Sequence, residues 1–75
     1  MKFNVIGAGR LGKNLAYALI CDGHELLAVC NNHLNRASAA VAQLGQGKSV
    51  SSFISLPAAD ITFITTPDDR IEAIA

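Results

Sequence analysis

Apolar positions along this chain follow two rhythms that alternate. Lys2-Phe3-Asn4-Val5-Ile6 is short, β-prone and closed by Gly7, which predicts a buried strand. From Arg10 to Asp22 the spacing becomes helical: Leu11, Leu15, Ala18 and Leu19 recur on one side, while Arg10, Lys13, Asn14 and Tyr17 fall on another. Gly23 stops that helix. Glu25 to Cys30 is apolar on both faces after Glu25, the pattern of a parallel strand covered on each side. A second helical stripe runs through Leu34, Ala37, Ala40, Val41 and Leu44, begins between His33 and Arg36, and ends at Gly45 and Gly47.

The remaining third is read more coarsely. Lys48-Ser49-Val50 predicts a brief third strand, and Ser52 to Leu56 a weak helical turn that Pro57 interrupts. Ile61 to Thr65 is β-branched and aromatic throughout and predicts a fourth strand. Thr66-Pro67-Asp68 turns the chain, with Asp68 as N-cap of a further helix whose apolar stripe starts at Ile71, Ile74 and Ala75. The order β-α-β-α-β-β belongs to the α/β class, as the N-terminal portion of a doubly wound parallel sheet. A helix of so few residues is marginal alone, and a four-stranded parallel sheet keeps an open edge. The expectation is therefore a partial domain over 1–75, with the substrate and dimerisation domain absent.

Composition narrows the function. The chain has 75 residues, enough for a single core. With 51% apolar and 16% charged residues it is globular in type. Six basic residues balance six acidic ones, so no broad positive field exists for nucleic acid or an anionic membrane, and any anion must be bound locally. The apolar runs are only a few residues long, which excludes a transmembrane span and a signal peptide and makes the cytoplasm the expected location. Cys21 and Cys30 have neither metal-knuckle nor disulfide-scaffold spacing and are expected to be buried, inert thiols.

The chemistry lies in Gly7-Ala8-Gly9-Arg10-Leu11-Gly12, a G-x-G-x-x-G turn between a strand and a helix. Gly7 permits the tight turn, Gly9 lets a diphosphate approach the backbone, and Gly12 lets the helix pack closely on the sheet. The N–H groups of Arg10, Leu11 and Gly12 open the helix, have no carbonyl partner within it, and favour an anion. A carboxylate about 20 residues after the last glycine would accept from the ribose hydroxyls of NAD. Here that position is Asn31, with Asn32, His33 and Arg36 nearby, a loop of donors and positive charge without an acid. The expected cofactor is therefore NADP, with NAD as the alternative. Thr66 and Pro67, after the fourth strand, are placed beside the nicotinamide half, where Thr66 could donate to ribose or diphosphate and Pro67 fixes the backbone. Flavin and S-adenosylmethionine folds rank lower, because they commonly place an acid where Asn31 stands.

These residues resemble the Rossmann-like NAD(P)-binding domain of NADP-dependent reductases and β-hydroxyacid dehydrogenases, including pyrroline-5-carboxylate reductase and the deazaflavin-dependent NADP oxidoreductases. The chain is most similar to bacterial Rossmann-like proteins with a C-terminal helical domain of unknown function. The likeness is carried by the phrase Val5 to Gly12 and by Asp60-Ile61 through Pro67-Asp68-Asp69. Many such proteins have Ser or Asn followed by Arg after the second strand, whereas Asn31 is followed here by Asn32. The resemblance implies the cofactor-binding part of an NADP-dependent oxidoreductase. It also implies a small-molecule substrate and homodimer contacts in later strands and a helical domain, so no catalytic residue is transferred. A non-enzymatic nucleotide-sensing or interaction module and a nonfunctional fragment are the competing expectations.

Overall fold

In the computed structural model, residues 1–65 and 70–75 are described. They form β1 (Lys2–Ile6), α1 (Arg10–Cys21), β2 (Glu25–Cys30), α2 (Leu34–Leu44), β3 (Lys48–Val50), a 3-10 turn (Phe53–Ser55), β4 (Ile61–Thr65) and β5 (Ile71–Ile74). The sheet order is β3-β2-β1-β4-β5. β1 pairs in parallel with β2 and β4, and β2 with β3, as short crossovers of one hand require. The β1–β2 register skips Leu27, so Leu26 stands beside Phe3 and Val29 beside Val5 on the same face.

Alternation along the strands separates two faces. Phe3, Val5, Leu26 and Val29 form the core with Ala16 of α1 and with Ala37 and Ala40 of α2, so both helices cover one face of the sheet. Phe63 joins them edge-to-face on Phe3, with ring centroids 6.1 Å apart. The opposite face carries Asn4, whose side-chain amide donates to the Pro57 carbonyl at 2.8 Å and ties down the crossing from β3 to β4.

Three expectations are corrected. The buried face of α1 is Gly12 and Ala16, with Ala18 exposed, because the helix lies close to the sheet on its smallest residues and leaves larger ones at the flanks. Cys21 is exposed at the last turn of α1, while Cys30 is buried. The segment Ile71–Ile74 is a strand antiparallel to β4, not the start of a helix. The edge of β4 offers ladder hydrogen bonds to each extended residue, and Ile71 and Ile74 are compatible with the extended state that uses them. The N-cap expectation at Asp68 lies outside the described residues.

Candidate functional site

β1 ends at Ile6, and the chain reverses into α1 through Gly7 at φ +107°, a backbone state that side-chain-bearing residues rarely adopt. The first amide to close a helical turn is that of Lys13, onto the Gly9 carbonyl at 3.0 Å. The amides of Arg10, Leu11 and Gly12 therefore precede any i−4 carbonyl. Gly9, the N-cap residue, supplies no side-chain cap, and no acidic residue occupies the first turn. Nothing in the helix itself answers its opening dipole.

Gly9 and Gly12 differ sharply in surroundings. A Cβ on Gly9 would meet nothing within 4 Å, so its outer side is open. A Cβ on Gly12 would stand 2.7 Å from the Gly7 carbonyl oxygen and 3.3 Å from a Val5 methyl, closer than packing tolerates. The division of labour expected from the motif is thus visible as space: approach at Gly9 and helix packing at Gly12.

The second half of the site is the loop from β2 to α2. The Asn31 carbonyl oxygen of the side chain accepts from the His33 N–H at 2.8 Å, an Asx turn, while the Asn31 N–H donates to the Val50 carbonyl at 3.1 Å. His33 occupies the N-cap position of α2 without using its side chain as a cap, and α2, like α1, has no acid in its first turn.

A cleft of about 560 Å³ joins the two halves, within the range of small-molecule and cofactor clefts. It brings together Gly7, Gly9, Arg10, Leu11, Gly12, Asn31, Asn32, His33 and Arg36, nine of the eleven residues singled out from sequence; Thr66 and Pro67 lie outside the described residues. Arg10 and Arg36 are its charged lining, and no described lining residue is acidic. Of the five other lining residues, Phe53 and Thr65 come from elements that the sequence did not connect with the site. Phe53, in the 3-10 turn after β3, is 67% exposed, and Thr65 closes β4. Phe53 carried a signal of its own, an aromatic in a serine-rich segment with no amphipathic partner stripe. Cys30 lies in the cleft wall, and burial pushes its thiol above the ordinary value. Among the described residues no cluster of His, Cys, Asp or Glu could hold a metal ion, and no helix is long and apolar enough to cross a membrane.

Comparison with known proteins agrees with this geometry. No curated protein matches the chain. Among solved structures, the WlbA dehydrogenase of Chromobacterium violaceum, in complex with NADH and UDP-GlcNAcA, is 30% identical with a TM-score of 0.71 over 89% of this chain. The WlbA dehydrogenase of Bordetella pertussis, with the same two ligands, is 31% identical with a TM-score of 0.68 over 88% of this chain. The chain spans 21% of the length of each. The profile of the family described as NADP oxidoreductase, coenzyme F420-dependent, matches residues 2–75. With its glycine turn, its uncapped helix and its parallel β-α-β-α-β order in place, the chain belongs to that family and has the fold of a Rossmann-like NAD(P)-binding domain.

Proposed function

We propose that the domain holds NADP in preference to NAD, with the diphosphate on the opening amides of α1 and the adenosine 2′-phosphate at the loop from Asn31 to Arg36. The observation that carries the reading is a helix N-terminus without side-chain cap or first-turn acid, opening on a cleft whose charged lining is arginine. The unanswered amides that open α1 and two guanidinium groups without a competing carboxylate suit a ligand with several negative charges.

Asn31 favours the phosphorylated ribose. Its side-chain oxygen already accepts the His33 N–H, which leaves Nδ2, a donor, as the group available to a ligand. A donor suits a phosphate oxygen, whereas the ribose diol of NAD is best held by a carboxylate that accepts from both hydroxyls. Arg36, in the first turn of α2, adds a full positive charge to the same loop.

Sheet order gives the ligand a direction. From β3 across β2 and β1 to β4, the cleft presents Phe53, then Asn31 and Arg36, then the glycine turn, then Thr65. With the diphosphate at the turn and the 2′-phosphate at Arg36, the adenine falls beside Phe53 and the nicotinamide toward Thr65, with Thr66 and Pro67 next in sequence. The nicotinamide supplies hydride chemistry when bound; the residues of this chain hold and orient it.

Titration with NADPH and NADH, followed by nicotinamide fluorescence, tests the reading. The expected result is tighter binding of NADPH by about tenfold or more, the value of one charge-assisted contact. Equal affinities, or a preference for NADH, would overturn it.

A further inference from the structure

The peptide unit between Ile6 and Gly7 is held at both of its polar ends. Its N–H, on Gly7, donates to the Cys30 carbonyl of β2 at 2.7 Å. Its carbonyl, on Ile6, accepts the hydroxyl of Thr65, the last residue of β4, at 3.0 Å. One peptide plane is thus fixed by the strands on either side of β1, and this plane precedes the positive φ that turns the chain into α1.

The same hydroxyl occupies the room that two motif glycines leave. A Cβ on Gly7 would overlap the Thr65 hydroxyl and stand 2.7 Å from the Thr65 carbonyl oxygen, and a Cβ on Gly12 would stand 3.0 Å from that hydroxyl. Gly7 and Gly12 therefore admit a threonine that lies 53 or more residues away in the sequence. The Thr65 hydroxyl bonds the start of the turn and lies beside the first turn of α1, and the residue lines the cleft.

We propose that Thr65 is the positioning residue of the dinucleotide site. By donating to the Ile6 carbonyl it sets the orientation of the Ile6–Gly7 peptide, and through it the direction in which the amides of Arg10, Leu11 and Gly12 project. A peptide plane held at both ends cannot rotate to spread those amides, so the ligand meets donors already in place and the ordering cost of binding falls. A methyl in place of the hydroxyl keeps the shape of the side chain and the β-branched preference of the strand, but it leaves the carbonyl without its donor. This inference rests on the reading above, that the turn holds a diphosphate.

The experiment compares Thr65→Val with Thr65→Ser by calorimetric titration of NADPH, ADP-ribose and adenosine 2′-monophosphate, alongside thermal melting. NADPH and ADP-ribose carry the diphosphate; adenosine 2′-monophosphate does not. Thr65→Val is expected to bind the first two about five- to tenfold more weakly, the size of one neutral hydrogen bond, with the third unchanged and Thr65→Ser restoring affinity. Should Thr65→Val not fold, Thr65→Ala against Thr65→Ser makes the same comparison. Undiminished diphosphate binding without the hydroxyl overturns the role of Thr65 and leaves the dinucleotide site standing, as does an equal loss for all three ligands in step with melting. Failure of the unaltered protein to bind any of the three removes both.

Discussion

Alanine substitutions at Gly9 and Gly12, two positions of one motif, are expected to have opposite effects. At Gly9 the backbone φ is −80°, which any residue adopts, and nothing lies within 4 Å of the new methyl. The entropy removed from the unfolded chain favours folding by about 0.4–1 kcal/mol. The poorer fit of alanine at an N-cap opposes it by a similar amount, so stability stays within about 1 kcal/mol. At Gly12 the gain in helix propensity is about 1 kcal/mol. Against it, the methyl stands 2.7 Å from the Gly7 carbonyl oxygen, a backbone atom that cannot rotate away. Overpacking costs about 1–3 kcal/mol, and rigid neighbours place this case at the upper end. The net loss of about 1–2 kcal/mol lowers the melting midpoint by about 4–8 °C per kcal/mol in a domain of this size. Binding reverses the order. The Gly9 methyl fills the space through which a diphosphate reaches the amides, and losing one charge-assisted hydrogen bond there weakens NADPH by about ten- to a hundredfold. Thermal melting and fluorescence titration of the two variants separate the effects. If Gly9→Ala folds normally and binds NADPH within about twofold of the parent, the amide cradle is not where the ligand sits.

Other consequences can be measured on the same preparation. Arg36→Ala is expected to weaken NADPH by about tenfold or more while leaving NADH nearly unchanged, since the proposed contact is to the 2′-phosphate alone; parallel losses would remove Arg36 from that role. Asn31→Asp keeps an acceptor for the His33 N–H, so the Asx turn survives, but its charge repels the phosphate and accepts from the ribose diol. The NADPH-to-NADH preference should then invert, and an unchanged ratio counts against the assignment. Phe53→Ala should leave the melting midpoint almost unmoved, because the ring is 67% exposed, yet weaken every adenine nucleotide by about 1–3 kcal/mol, the value of base stacking on an aromatic. Equal affinity would place the base elsewhere.

The two thiols should differ in chemistry. Iodoacetamide is expected to modify exposed Cys21 in the folded protein and Cys30 only after unfolding. Because burial raises the Cys30 pKa, the folded state resists ionisation that the unfolded state accepts. This stabilising contribution is complete below about pH 8.5 and is lost as pH rises through the raised value. Mass spectrometry of alkylated samples and melting curves of Cys30→Ala against the parent above pH 8.5 check both statements.

Short β-prone apolar runs alternating with stretches of helical spacing determined β1 to β4 and both helices, because each must bury apolar residues whatever its neighbours do. The glycine spacing likewise marked the turn, since the demands of Gly7 and Gly12 are local to a strand leading into a helix. Asn31 and Arg36 were legible because their distance from the motif is set by one helix and one strand of ordinary length. Tertiary structure decided the rest. Ile71 to Ile74 became a strand because the edge of β4 offers a ladder to pair with, and no periodicity within four residues reveals that edge. Phe53 and Thr65 entered the cleft through sheet order, which sets the ends of β3 and β4 on either side of the glycine turn. The bond from Thr65 to Ile6 spans 59 residues, and only parallel pairing of β4 against β1 brings that hydroxyl to the peptide it holds.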